Sequence, residues 1–160
     1  MRVLDIIHGT TVDGPGLRTS IYFAGCTHDC PGCHNPQSHD PMGGREMSVD
    51  EILAEIDAEG FDVTFSGGDP LMQYKELIPL ARAVRQRGLG IWCYTGYLYE
   101  DICRNAELRP LLDEIDVLVD GPFIEKRRNL HIRFRGSDNQ RLIVTAKSRP
   151  GSVEVYVDND

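Results

Sequence analysis

The stretch "GCTHDCPGC" at residues 25–33 holds three of the chain's five cysteines, Cys26, Cys30 and Cys33, with three and two residues between them. Gaps this short let one loop wrap a single centre, and soft thiolates select zinc, copper(I) or iron–sulfur clusters. An odd set of three fits a disulfide framework poorly. Two readings stay open. A structural zinc site wants a fourth ligand, which His28, His34 or His39 would supply in a Cys3His loop. A [4Fe–4S] cluster also normally takes four cysteines. Cys93 is the tempting fourth, but its alternation with Trp92 and Tyr94 reads as an ordinary buried strand cysteine. Cys103 falls in a helical stretch and reads as structural. If neither completes the set, one iron is open to a small molecule, and an open iron is a reaction site.

The elements that position this loop follow a strand, motif loop, helix pattern. "TSIYFAG" (19–25) is β-branched and aromatic and ends in glycine, a strand signature. "SVDEILAEIDAEG" (48–60) predicts a helix, with Ser48 and Glu51 as a capping box, Ile52, Leu53 and Ile56 on one face, and Gly60 as the stop. "DVTFSGGDP" is a short strand entering a glycine turn. "YKELIPLARAVRQRG" has Leu77, Ile78, Ala81 and Val84 at helical spacing, with Pro79 taken to lie close to the start, where proline is tolerated. "GIWCYTG" predicts a strand, "YLYEDICRNAE" a helix and "VLVDGPF" another strand; "RLIVTA" and "SVEVYV" are further strand candidates. Alternation of this kind implies an α/β fold with a mainly parallel sheet, because parallel strands need crossover connections. Each unusual segment follows directly on a strand, so all converge on the carboxyl edge, where α/β folds build their ligand sites.

With 160 residues the chain is read as a single domain, 1–160, large enough for its own core. No apolar run approaches a membrane span, and the start lacks a signal peptide's apolar middle. A cytoplasmic location without membrane association is the expectation, and clustered cysteines there bind metal or do redox chemistry. The net charge of −8 argues against a general nucleic-acid binder. Six basic residues (Lys126, Arg127, Arg128, Arg133, Arg135, Arg141) against two acidic ones give the 125–141 segment +4, leaving −12 elsewhere. That segment reads either as a solvated loop or as a docking patch for an acidic partner.

The cysteine spacing followed by "GGDP" after the next strand resembles the radical S-adenosylmethionine (SAM) superfamily. More narrowly, "VDGPGLRTSIYFAGCTHDCPGCHNP", "SGGDPL", "WCYTGY", "VLVDGPF" and "RFRGSDNQRLI", in that order from Val12 to Ile143, resemble the family of anaerobic ribonucleoside-triphosphate reductase activating proteins. The resemblance implies an oxidoreductase-type enzyme with one [4Fe–4S] cluster per chain on Cys26, Cys30 and Cys33. It also implies SAM on the fourth iron and reductive cleavage of SAM to methionine and a 5′-deoxyadenosyl radical. That radical would abstract hydrogen from a glycine of the reductase large subunit and leave a glycyl radical.

By the same resemblance Gly67, Gly68 and Asp69 meet the methionine end of SAM. Gly32, Cys33 and His34 lie at the cofactor; Gly32 stands where the superfamily often has an aromatic residue, with His34 offered as the stacking ring. Tyr94, Thr95 and Asp120 end strands at the same edge as further contacts, Asp120 equally as a turn cap with Gly121. Arg18 is expected near the cluster, without an assigned role. The 34–47 loop is read as a cover for the cluster. The fold implied is an incomplete radical SAM-type (β/α) barrel, open on the side where the partner's glycine enters. The basic segment would line that opening or receive a reductant such as flavodoxin. Charge reversal at Arg127, Arg128 and Arg133 is then expected to weaken partner activation and spare SAM cleavage. Alternatives are a small radical SAM enzyme resembling 7-carboxy-7-deazaguanine synthase, and a non-catalytic zinc module.

Overall fold

The computed structural model describes residues 1–26, 28, 31 and 36–158. Cys30, Gly32, Cys33 and His34 lie outside the described residues. Strands β1 (Arg2–Thr10), β2 (Arg18–Phe23) and β3 (Arg45–Glu46) precede helix α1 (Val49–Glu59). Strand β4 (Asp62–Gly67) leads to α2 (Tyr74–Gln86), β5 (Ile91–Tyr94) to α3 (Tyr99–Cys103), and β6 (Val117–Asp120) to β7 (Arg141–Val144). Among the described residues the strands form one seven-stranded sheet in the order β3-β1-β2-β4-β5-β6-β7.

The centre, β2-β4-β5-β6, is parallel as expected. Both flanks are antiparallel: β1 on β2, β3 on β1 and β7 on β6. The physical reason is the connections. Residues 11–17 join β1 to β2 and residues 121–140 join β6 to β7 without an α-helix, so neither supplies the crossover that a parallel neighbour requires. Among the described residues the terminal strands β3 and β7 do not pair with each other, so the sheet they form is not closed. "SVEVYV" runs beside β7 with a single bridge, Ile143 to Val155, rather than as a full strand.

Alternation along the strands produces two unlike faces. Ile21, Phe23, Val63, Phe65, Ile91, Cys93, Leu118 and Ile143 pack against Ile52, Leu53 and Ile56 of α1 and Leu77, Ala81 and Val84 of α2. The opposite face carries Trp92, Val117, Val119 and Leu142, covered by Phe134 and Tyr156 in edge-on contacts to Trp92 at 5.2 and 5.1 Å.

The local rules held for α1. Ser48 and Glu51 form both halves of the capping box, and Gly60 ends the helix at φ 68°. In α2, Pro79 is well inside the helix rather than near its start. It is tolerated because residue 79 is on the exposed side, where solvent reaches the carbonyl that loses its N–H partner. The helix read over 97–107 shrinks to Tyr99–Cys103. Asn105 Oδ1 accepts from Glu107 N and Leu108 N at 2.9 and 3.2 Å, starting a new turn in place of another helical one.

Candidate active site

The carboxyl ends of β2, β4, β5 and β6 converge as expected, and a cleft of about 190 Å³ opens there. Cys26, Gly67, Gly68, Tyr94 and Thr95 line one side, with Phe123 and Gln140 of the β6–β7 connection on the other. Cys26 thus faces the same space as the glycine pair.

The glycine pair has a backbone reason to be there. Gly67 holds φ 104°, and a Cβ on it would stand 2.3 Å from Phe23 N. A Cβ on Gly68 would stand 2.4 Å from Gly25 O. Gly68 N donates to Phe23 O at 2.8 Å and Asp69 N to Gly25 O at 2.7 Å. Residues 67–69 therefore lie directly on the backbone that enters the cysteine loop. From the other side Gly25 N donates to Ser38 O at 2.7 Å and Cys26 N to His39 O at 3.3 Å. The described part of the 34–47 segment thus braces Cys26 and includes the short strand β3.

Asp69 is fully buried, and its carboxylate is filled by the protein's own donors. Thr95 Oγ1 reaches Oδ1 and Oδ2 at 3.0 and 2.9 Å, Leu71 N reaches Oδ1 at 3.0 Å, and Gly96 N reaches Oδ2 at 3.0 Å. His28 Nε2 completes the set at 2.5 Å from Oδ2. The Asp69 bond is the main cause that raises the His28 pKa, against the opposing effect of burial. Thr95 is consumed in the same network, since its hydroxyl also accepts from Tyr97 N at 3.1 Å.

Tyr94 behaves differently. Its hydroxyl is buried and has no hydrogen-bond partner among the described residues, while its ring lines the cleft. Burial pushes its pKa far up, with Asp13 adding to the shift, so it stays a neutral hydroxyl. Cys93 points to the helix side of the sheet, packed in the apolar core away from the cleft, and burial raises its thiol pKa well above the ordinary value.

Asp120 also faces the helices. Its Oδ2 accepts from Tyr99 N at 2.9 Å, capping α3, and both its oxygens are held by Arg141 at 3.1 and 2.6 Å. It caps an α3 amide rather than a turn at Gly121. Arg141 also reaches Glu100 at 2.7 Å. Arg141→Ala leaves a buried carboxylate without its cation, and we expect a loss of about 1–3 kcal/mol in urea unfolding. The double variant Arg141→Met with Asp120→Asn should recover part of it, since neither group is then charged.

Arg18 lies at the amino end of β2, opposite the cysteine loop. It is buried against Thr64 Oγ1 and the Val63 and Pro15 carbonyls, so its role there is structural. Three of the six cations of the basic segment are paired: Arg127 with Asp138 inside it, and Arg133 and Arg141 with Asp158 and Asp120 outside it. Gln140 was not singled out from the sequence, although it lay in the quoted "RFRGSDNQ". Its side chain ties Gly121 O to Gly136 N at 3.0 and 2.9 Å, shaping the cleft wall together with Phe123.

This arrangement, an open α/β sheet whose carboxyl edge presents Cys26 beside a glycine pair, agrees with the family to which the chain is similar. Residues 12–143 match the profile of the 4Fe-4S single cluster domain. Relatives include the anaerobic ribonucleoside-triphosphate reductase-activating protein of Escherichia coli K12, 32% identical over 81% of this chain and 89% of the relative. That of Enterobacteria phage T4 is 35% identical over 82% of this chain and 86% of the relative. The pyruvate formate-lyase-activating enzyme of Clostridium pasteurianum is 38% identical over 69% of this chain and 50% of the relative. The chain belongs to the 4Fe-4S single cluster domain family and, within it, to the radical SAM activating enzymes of the anaerobic ribonucleotide reductase type.

Proposed function

We propose that this chain, acting as one domain in the cytoplasm, activates an anaerobic ribonucleoside-triphosphate reductase by forming a glycyl radical on its large subunit. The observation that carries this reading is one cleft, at the carboxyl edge of the sheet, lined together by Cys26, the Gly67–Gly68 pair and Tyr94. The residues present fit the implied cluster: a partly buried cysteine lines the cleft, the ligand type that a [4Fe–4S] cluster takes.

In this reading Cys26, Cys30 and Cys33 hold three irons, and the fourth is open to SAM. Held by these three cysteines, the cluster would supply the one electron needed for reductive cleavage of SAM, the chemistry that would remove hydrogen from the glycine Cα. The protein's own contribution is geometric. The backbone bonds of residues 67–69 to Phe23 and Gly25 hold the rim that carries Cys26. Tyr94, Val119 and Phe123 line the cleft. The resemblance would put Gly32, Cys33 and His34 along the cofactor; all three lie outside the described residues. Asp69 supports the site through Thr95, Gly96 and His28 rather than by presenting a free carboxylate. The unclosed sheet is the wall of an incomplete barrel whose open side admits the partner's glycine.

The decisive experiment is anaerobic incubation of the reconstituted chain with SAM, a reductant and the reductase, read by electron paramagnetic resonance. A glycyl radical signal that requires all components is expected. A colourless protein with stoichiometric zinc, taking up neither iron nor sulfide, would end this reading in favour of a zinc module.

For docking of the reductase or of an acidic donor such as flavodoxin, the ion pairs redirect the test. Arg127 and Arg133 are held by Asp138 and Asp158, so Lys126 and Arg128, which are exposed, are the informative positions. Lys126→Glu with Arg128→Glu should slow activation of the partner several-fold at low salt and leave SAM cleavage with a chemical reductant unchanged. Equal loss of both activities would remove this patch from docking.

A further inference from the structure

We propose that His28 is a positioning residue which latches the segment carrying the cysteines onto the carboxyl edge of the sheet, through Asp69. The inference deepens the reading above and rests on it. His28 stands two residues after Cys26 and two before Cys30.

His28 is held from three directions. Its Nε2 meets Asp69 Oδ2 at 2.5 Å. Its ring meets Tyr97 edge-on, with centroids 4.7 Å apart and planes at 81°. The ring also occupies the space a side chain at residue 96 would need, since a Cβ on Gly96 would stand 2.7 Å from His28 Cδ2. The receiving end is built with equal care. Asp69 is oriented by Leu71 N from its own strand end and by Thr95 Oγ1 and Gly96 N from the end of β5, so its carboxylate is fixed. Thr95 is in turn oriented by Tyr97 N. The latch therefore joins the ends of β4 and β5 to the middle of the cysteine segment.

The physical consequence concerns metal retention. Ordering a loop costs roughly 1–2 kcal/mol per residue in backbone entropy. A loop already docked at its middle has met part of that cost before metal arrives, so it binds more tightly and releases more slowly. Loss of a partner outside the ligand shell typically costs about 10–100-fold in metal affinity.

The test uses the full chain, reconstituted anaerobically with iron and sulfide and then challenged with a chelator in the absence of SAM. Cluster loss is followed by visible absorbance. His28→Ala should release its cluster roughly tenfold faster than wild type. His28→Gln, whose amide can donate to the same Asp69 oxygen, should recover most of the retention. Gly96→Ala should reproduce the fast release without removing any hydrogen-bonding group or ligand, because its methyl displaces the His28 ring. Far-UV circular dichroism and thermal melts accompany each variant. Release as slow as wild type in both His28→Ala and Gly96→Ala would overturn the proposal. So would release that merely tracks a lowered melting temperature and is not rescued by His28→Gln. A wild-type chain that takes up no cluster at all would instead overturn the functional reading on which the latch rests.

Discussion

Replacing Cys26 with alanine should reduce glycyl-radical formation on the reductase to background while leaving the fold intact. Cys26 lies at the rim of the cleft and is only partly buried, so the apolar core does not depend on its side chain. In the proposed site it supplies one of three thiolates, and two thiolates leave a cubane with two unprotected irons. The loss should exceed the about 10–100-fold seen when an outer-shell partner is removed. Iron and sulfide analysis, the electron paramagnetic resonance amplitude and a melt measured on one preparation check the point. A Cys26→Ala protein that still forms the radical would show that the cluster is held elsewhere.

The second large effect is on stability. Gly67→Ala should cost on the order of 3–5 kcal/mol, near the upper end for single substitutions. Two causes add. The backbone at φ 104° is unfavourable for any residue with a Cβ, and the new atom would fall 2.3 Å from Phe23 N and 2.4 Å from Phe23 O, which belong to a paired strand and cannot yield. For a domain of this size each kcal/mol moves the melting temperature by roughly 2–4 °C, so a fall of about 10 °C is expected. The same displacement would tilt the rim that carries Cys26, so cluster loading should fall with it. An unchanged melting temperature would mean that residues 67–69 do not press on β2 in solution.

Both predictions turn on a junction that was only half legible in the sequence. "GGDP" after a strand was readable as a ligand turn, since paired glycines permit close approach. What the glycines approach is the backbone of Phe23 and Gly25, more than forty residues earlier in the chain. The resemblance implies Asp69 at the methionine end of SAM. Its actual donors, Thr95, Gly96 and His28, come from two other segments, and no local pattern marks such a convergence. Cys93 shows the complementary case. Alternation in "WCY" told that Trp92 and Cys93 face opposite ways, but not which face α1 and α2 would cover, because both faces of the central strands are buried.

Short-range physics was decided by sequence alone: the Ser48–Glu51 capping box, the Gly60 stop, the strand ends and the cysteine spacing all act within a few residues. From these followed the parallel centre and the gathering of the motif segments at one edge. The antiparallel flanks, the Arg141 clamp on Asp120, the His28–Asp69 bond and the unpartnered Tyr94 hydroxyl came only with the tertiary structure. Hydrogen bonds and ion pairs between residues 20 to 40 positions apart depend on where folded strands come to rest, and the energy of each is realised only once the chain has packed.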